Sequence, residues 1–413
     1  MTCSEWITFS QLCLRLSWRV LYKAEHAAGI ASKLATQLAK NQYNNICLHP
    51  DINIPSLLSN TKMATTRTSK QWILSDRPAG LPTISGPKPT FTLSTLELPP
   101  LEEGQILVQV RYFSNDAGIR TFISCTVDEE RMYVPPVPVG APMRSQLIGE
   151  VLESKSPQFS CGDFVMAGSG SWTERIILDA ANVQPAPPLP SGLSITHYLG
   201  AFGGTGLAAH IGLLHVAQAK PEHTIVVSAA AGATGSIVVQ VAVKLLGAKR
   251  VVGIAGSEEK CAWVREYLGA HACVNYKSPT FAEDLKAATP DAVDVFFDNV
   301  GGAVLDGVLA RMNRCGVIAV CGSVATYSSE EPMAIRNWFE IVSQRLTIKG
   351  FFIYDHMDKV PEAREALIAA AVDGRIKVDI EEVVPATIEE VPNVWIDVLK
   401  GVNKGKSVTK LIA

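Results

Sequence analysis

From Thr224 onward the chain alternates short apolar runs with segments whose apolar residues recur at helical spacing. Residues 224–228 form a β-branched run of the kind a buried parallel strand requires. Residues 236–246 carry the helical pattern, and Gly247 stops it. Residues 250–254 are a second strand. The alternation continues with predicted strands at 272–276, 293–298, 317–321 and 346–353, and predicted helices at 258–268, 281–288 and 303–311. Strand and helix alternating at this interval predict a doubly wound parallel sheet, with ligand at the carboxyl ends of the strands.

The pattern before Thr224 is different. Period-two runs at 71–74, 91–97, 105–112, 147–153 and 164–167 are separated by proline and glycine turns, which predicts a partly open β-barrel. Pro185 to Pro190 carries four prolines and marks a boundary. Residues 195–216 read as helical, broken at Gly203-Gly204-Thr205-Gly206. After Pro361 the tail is expected to hold one helix, to Asp373, and one strand, 408–412, and to return to the barrel. The expected domains are a barrel-like unit from 63–190 and 355–413 around a doubly wound, Rossmann-type unit at 191–354.

Residues 1–62 stand apart. Basic residues outnumber acidic ones over 11–40, so a mitochondrial presequence is one reading, opposed by Glu5 and Glu25. The other is an extension outside the fold, with Met63 as the start. The second is preferred. It goes with a cytoplasmic location, and a genuine presequence would make the protein mitochondrial. The whole chain of 413 residues has a net charge of −3 and 47% hydrophobic residues. There is no basic excess for nucleic acid, and no apolar run reaches the roughly eighteen residues of a membrane span. Nine cysteines are scattered without a CxxC pair or a compact cluster, as in a protein with reduced thiols.

The candidate chemistry begins after the first Rossmann strand. Ala229 to Gly235 reads Ala-Ala-Ala-Gly-Ala-Thr-Gly, with Gly232 and Gly235 spaced as the last two glycines of a dinucleotide fingerprint and Ala230 in place of the first. Gly232 lets the backbone approach a pyrophosphate, and the helix start with Ala233 and Thr234 offers free N–H groups to its charge. Gly235 lets helix and strand pack closely. A tight strand-to-helix turn is the plainer reading of the glycines; the flanking pattern favours the nucleotide. At the end of the second strand an NAD site would carry a carboxylate. This chain has Gly256, Ser257 and then Lys260, which suit the 2′-phosphate of NADP(H).

Several stretches together resemble the medium-chain dehydrogenase/reductase superfamily, and within it the zinc-independent group of prostaglandin reductases and plant 2-alkenal reductases. They are Val227-Ser228-Ala229-Ala230-Ala231-Gly232-Ala233-Thr234-Gly235-Ser236, Gly256-Ser257-Glu258-Glu259-Lys260, Val274-Asn275-Tyr276-Lys277, Phe297-Asp298-Asn299-Val300-Gly301-Gly302, Cys321-Gly322-Ser323-Val324-Ala325-Thr326-Tyr327, Gly350-Phe351-Phe352-Ile353-Tyr354 and Gly401-Val402-Asn403-Lys404-Gly405-Lys406. The resemblance covers about 70–413. It implies a GroES-like catalytic domain beside the Rossmann domain, NADP(H) as cofactor, and a homodimer formed through the edge strand from Leu346 to Ile353. It also implies roles. Lys260 and Tyr276 would meet the 2′-phosphate end, and Asn299 with Cys321, Gly322, Ser323 and Tyr327 would line the nicotinamide half. Phe351, Phe352 and Ile353 would wall the nicotinamide and substrate, and Asn403 would reach the cofactor from the tail.

The group often carries Asp-Pro-x-Met-Arg after its first long strand. Here Ser114 to Arg120 keeps Asp116 and Arg120 without the proline and methionine. The Gly-His-Glu ligand motif of zinc alcohol dehydrogenases is replaced by Met143-Arg144-Ser145-Gln146, and the four-cysteine lobe is missing, so no metal is expected. The implied activity is NADPH-dependent reduction of the carbon–carbon double bond of α,β-unsaturated aldehydes or ketones. Tyr327 is the first candidate proton donor and Tyr354 the second. Reduction of a carbonyl or quinone, for instance in a secondary-metabolite pathway, stays open as an alternative. So does a protein that binds NADP without turnover.

Overall fold

The structure is a computed structural model that describes residues 67–412 apart from Val127, Glu330 and Pro332. The extension at 1–62 and the start at Met63 lie outside the described residues. Residues Thr66–Ala413 form one compact unit. It contains a parallel sheet, an antiparallel-rich sheet and a hairpin.

The parallel sheet has six strands. Their spatial order is Ala272–Asn275, Arg250–Ala255, Thr224–Val227, Val293–Asp298, Met312–Val320 and Thr347–Gly350. Every neighbouring pair is parallel. Thr224–Val227 is buried along its whole length because sheet neighbours flank it and helices cover it. The order reverses between this strand and Val293–Asp298, which is where a doubly wound sheet opens its ligand crevice. Two helices pack against each other beside that crevice, Gly204–Ile211 and Ala233–Gln240, and each ends in a wider π turn. The helical reading of 195–216 is interrupted at 200–203, between the 3-10 turn Ile195–Leu199 and the helix that Gly204 starts. The outermost strand is shorter than the apolar run 346–353 predicts. Gly350 ends it, and Phe351 leaves the sheet to pack on Phe297.

The second sheet has seven strands. Gln105–Ser114, Arg144–Ser154 and Phe164–Ser171 are its antiparallel centre. Arg175–Asp179 pairs with the first of these. The returning tail supplies the edge as Lys406–Leu411 and Glu381–Ala386. The expectation of one helix and one strand in the tail is corrected here. It holds two of each, adding Glu381–Ala386 and the helix Val391–Leu399. The strand escaped notice because Pro385 sits in it, which only an edge strand tolerates. The helix did carry a signal, the capping box of Thr387 and Glu390 with Pro392 in its first turn.

The core of this half is aromatic. Trp172 and Trp395 meet edge-on at 5.5 Å, and Phe91 meets Trp172 at 5.2 Å. The Trp395 indole donates to the Asp116 carbonyl at 2.8 Å, so the tail helix is pinned to the first long strand's exit. Among the described residues no helix is long and apolar enough to cross a membrane.

Packing beside the crevice fixes one glycine. A Cβ on Gly206 would run into the carbonyl of Ala201, a backbone group that cannot step aside. Gly206→Ala is expected to cost about 1–3 kcal/mol through overpacking. Thermal denaturation followed by circular dichroism checks it, and an unchanged midpoint would show that the helix start has room.

Candidate functional site

The fingerprint turn sits at the carboxyl end of the central strand. Ala229 adopts a left-handed φ of 46°, which bends the chain into the turn, and Gly232 caps the helix Ala233–Gln240. A Cβ on Gly235 would collide with the Ala229 carbonyl, so the glycine is what lets helix and strand close up. The first-turn N–H groups of Ala233, Thr234 and Gly235 have no intrahelical acceptor by helix geometry. The tail crosses here. The Gly405 N–H donates to the Ala231 carbonyl at 2.8 Å, and Gly405 bridges Gly232. Asn403 lies in this crossing, with its side-chain amide on the Gly405 carbonyl at 2.7 Å.

The second strand ends at Ala255, and Gly256 and Ser257 follow it. The Ser257 hydroxyl accepts the Lys260 N–H at 3.2 Å and so caps the next helix. Tyr276 lies over Gly256, where a Cβ would come within 3.1 Å of its ring. The Lys260 ammonium donates to the carbonyls of Gly401 and Asn403 at 2.7 and 2.8 Å. Lys277 stands 5.7 Å over the Tyr276 ring, and Lys404 is paired with Glu259 at 2.8 Å. Partial burial, and then the Lys277 charge, pull the Lys260 ammonium below its ordinary range. An anion placed among these lysines would relieve that repulsion. The turn and this basic cluster are shaped for a dinucleotide with a phosphate on its adenosine ribose.

The third part is built around a buried carboxylate. Asp298 ends its strand with no exposed surface. Its side chain accepts the Ser228 hydroxyl at 2.8 Å, the Val300 N–H at 2.9 Å and the Gly301 N–H at 3.1 Å. Its backbone carbonyl accepts the N–H groups of Cys321 and Gly322. Burial raises the carboxyl and these donors pull it back. Asn299 is held from both ends: its N–H reaches the Ser228 hydroxyl and its amide the Ser228 carbonyl, at 2.8 and 2.7 Å. Burial pushes the Cys321 thiol up to about 12, with Asp298 adding to it. The Tyr327 hydroxyl accepts the Ser323 N–H at 3.2 Å, against Gly322. Burial raises Tyr327 as well.

An aromatic wall faces this loop. Phe352 packs on Tyr133 at 4.2 Å and on Tyr354 at 4.8 Å, and Tyr133 meets Phe122 edge-on at 5.9 Å. Tyr133 was not singled out from the sequence, because it follows the stretch 121–132 that has no family pattern. Tyr133 is 56% exposed as a residue, yet partial burial of its hydroxyl raises it too. Phe351 does not join the wall; it fills the space beside Gly212, below the crevice. A cavity of about 730 Å³ opens next to the wall, lined by Gln146, Ala167, Gly203, Gly204, Ile353 and Tyr354 among others. Tyr327 and Cys321 lie outside that lining. Gln146 and Gly204 are further residues the sequence reading missed. Gly204 belongs to a glycine run, which is the mark of close backbone approach. Among the described residues no three His, Cys, Asp or Glu side chains gather as metal ligands. His210 and His215 come within 6.1 Å of each other without a third partner.

Two family patterns match the chain. One, described as the N-terminal domain of oxidoreductase, matches residues 70–186, and the other, described as zinc-binding dehydrogenase, matches 233–370. The chain is 35% identical over 346 residues to prostaglandin reductase 1 of Bos taurus, covering 83% of this chain and 99% of that protein. It is 32% identical over 352 residues to the NADPH-dependent curcumin reductase of Escherichia coli K12, covering 83% and 97%. Among solved structures it is similar to CurA of Vibrio vulnificus in complex with NADPH, with a TM-score of 0.75, 30% identity and coverage of 83% and 99%. With the order-reversing parallel sheet, the glycine turn and the tail that returns across it, these likenesses show that the chain belongs to the medium-chain dehydrogenase/reductase superfamily, in the prostaglandin reductase and curcumin reductase group.

Proposed function

We propose that the protein reduces the carbon–carbon double bond of α,β-unsaturated aldehydes or ketones with NADPH. The observation that carries this reading is the Tyr327 phenol, raised by burial and held on the Ser323 N–H in the loop that follows Met312–Val320, in a parallel sheet whose glycine turn suits a dinucleotide. The prostaglandin and curcumin reductases among its relatives support it. Residues 63–190 and 355–413 form the catalytic unit in this reading, and 191–354 the cofactor unit.

Each site residue then has a task. Gly232 to Gly235 hold the pyrophosphate on backbone N–H groups. Gly256 and Ser257 leave room for the ribose phosphate, and Lys260 and Tyr276 bind it. Asn299 and Cys321 to Ser323 position the nicotinamide, with Phe352 and Ile353 closing the opposite side. Asn403 shapes the tail crossing. NADPH, when bound, supplies the hydride. As the β-carbon is reduced, charge builds on the carbonyl oxygen of the substrate. The Tyr327 oxygen accepts the Ser323 N–H, so its own proton stays free to donate outward, and burial keeps that proton in place. One such donor contributes about 3–4 kcal/mol to the transition state. Tyr354 is the second donor. The chain uses no metal: Arg144 to Gln146 stand where a ligand set would be needed.

The reading extends to assembly and location. Thr347–Gly350 is an uncovered sheet edge, and Trp338, Phe339 and Val342 beside it are 62%, 72% and 65% exposed. An apolar edge of this kind closes by twofold pairing with a second copy. A cytoplasmic location fits the six free thiols among the described residues.

Activity is tested by NADPH consumption over a panel of enals, enones and quinones, with the product identified; the saturated carbonyl is expected. An allylic alcohol as product would overturn double-bond reduction. Tyr327→Phe should lower kcat roughly 100-fold with little change in the KM for NADPH. A fall no larger for Tyr327→Phe than for Tyr354→Phe would move the donor to Tyr354. Lys260→Ala should raise the KM for NADPH about tenfold and leave NADH unchanged. Equal losses with both cofactors would make Lys260 only the tether of Gly401 and Asn403. Light scattering should find a dimer, and Phe339→Asp should yield a monomer; a monomeric unmodified protein would end the pairing claim.

A further inference from the structure

Cys261 and Cys273 show no pairing motif in the sequence, yet their Sγ atoms lie 3.1 Å apart. Cys261 sits in the first half of the helix Glu258–Glu266 with no exposed surface, and Cys273 is half-buried in the strand Ala272–Asn275. A Cβ on Gly253 would come within 3.1 Å of the Cys273 sulfur, so the pair is wedged between helix and sheet. A disulfide spans about 2.0 Å between sulfurs, and an approach of about 1 Å would close it.

The pair borders the basic cluster. Lys260 immediately precedes Cys261, and Tyr276 follows Cys273 on the same strand end. The Cys261 N–H donates to the Ser257 carbonyl at 2.9 Å, so sulfur and cap share one turn of helix. Lys260 in turn holds the tail through Gly401 and Asn403. A movement of this helical turn toward the strand would shift Ser257 and Lys260, and with Lys260 its hold on the tail.

We propose that Cys261 and Cys273 form a reversible disulfide in the presence of a hydroperoxide, and that this bond loosens the grip on the adenosine end of NADPH. The second half rests on the cofactor reading above; the first does not. One sulfur of the pair takes one peroxide oxygen, the O–O bond breaks, and an alcohol or water leaves. That cysteine is then a sulfenic acid. The other sulfur, already within 3.1 Å, attacks it, the S–S bond forms, and the hydroxyl leaves with the second thiol's proton as water. Two electrons pass from the thiols to the peroxide. A dithiol reductant reverses the bond.

The test treats the full chain with hydrogen peroxide, then maps non-reduced tryptic peptides and titrates NADPH by fluorescence. Peptides 261–265 and 266–277 should appear linked and lighter by two hydrogens. The linked form should bind NADPH at least about threefold more weakly, with kcat retained, and dithiothreitol should restore it. Cys273→Ser should bind NADPH like the reduced protein and ignore peroxide; Cys273→Ala serves the same end should the serine variant fold poorly. If the exposed Cys125 and Cys161 oxidise while the two peptides stay unlinked, the disulfide is refuted. If the link forms and NADPH binding is unmoved, its control of the cofactor is refuted. A chain that binds NADPH but reduces no enone would count against the proposed activity and leave both readouts standing.

Discussion

One buried carboxylate holds the reacting end of this protein together. Asp298 is in no ion pair among the described residues, and its carboxylate is met by the hydroxyl of Ser228 and the N–H groups of Val300 and Gly301. Leaving an ion of this kind unpaired in the interior would cost several kcal/mol. The three donors therefore have to be delivered together, and they come from two places: the end of the central strand and the turn after Val293–Asp298. The same residue's carbonyl collects the N–H groups of Cys321 and Gly322 from a third. The loops that flank the crevice are thus fixed to a single point. Asn299 and Tyr327 inherit their positions from it, Asn299 through Ser228 and Tyr327 through the Ser323 amide.

A second constraint closes the other end. The returning tail reaches across the glycine turn, and the Gly405 N–H takes the Ala231 carbonyl that the turn leaves free. Lys260 extends the closure by holding the carbonyls of Gly401 and Asn403. Charge is divided accordingly. The basic side chains Lys260, Lys277 and Lys404 gather after the second parallel strand, where the proposed reading puts the ribose phosphate. Beside the crevice the groups are phenols and a thiol raised by burial, which remain neutral near pH 7 and offer protons. A lysine at the crevice would stabilise the forming oxyanion more strongly, but it would also bind water and anions in the resting state.

The regular parts of this arrangement were legible in the chain. The strand–turn–helix pattern around Gly232 and the alternation after it predict a sheet whose observed order reverses at the central strand. Other parts were not, for physical reasons. Tyr133 and Gln146 enter the cleft region through tertiary packing, and nothing in local periodicity marks them. The strand Glu381–Ala386 carries charge and proline because it is an edge, so its pattern resembles a loop. The run from Leu346 to Ile353 is mostly apolar, with Thr347, Lys349 and Gly350 among its residues, yet it serves two purposes: Thr347 to Gly350 continue the sheet, while Phe351 and Phe352 separate, one into the core and one onto Tyr133. Hydropathy alone cannot divide such a run.

The cysteines show the same limit from the other side. Spacing is informative when both partners lie on one loop or one helix face. Cys261 and Cys273 lie on a helix and on the strand that follows it, and their distance is fixed by how far that helix settles onto the sheet. Gly253 sets this: lacking a side chain, it lets Cys273 lie flat against the neighbouring strand while Val264 of the helix presses in from above. A larger residue at 253 would lift the helix and carry Ser257 and Lys260 with it. The packing that brings two thiols together is therefore the packing that places the basic cluster, and a change in either is felt by the other.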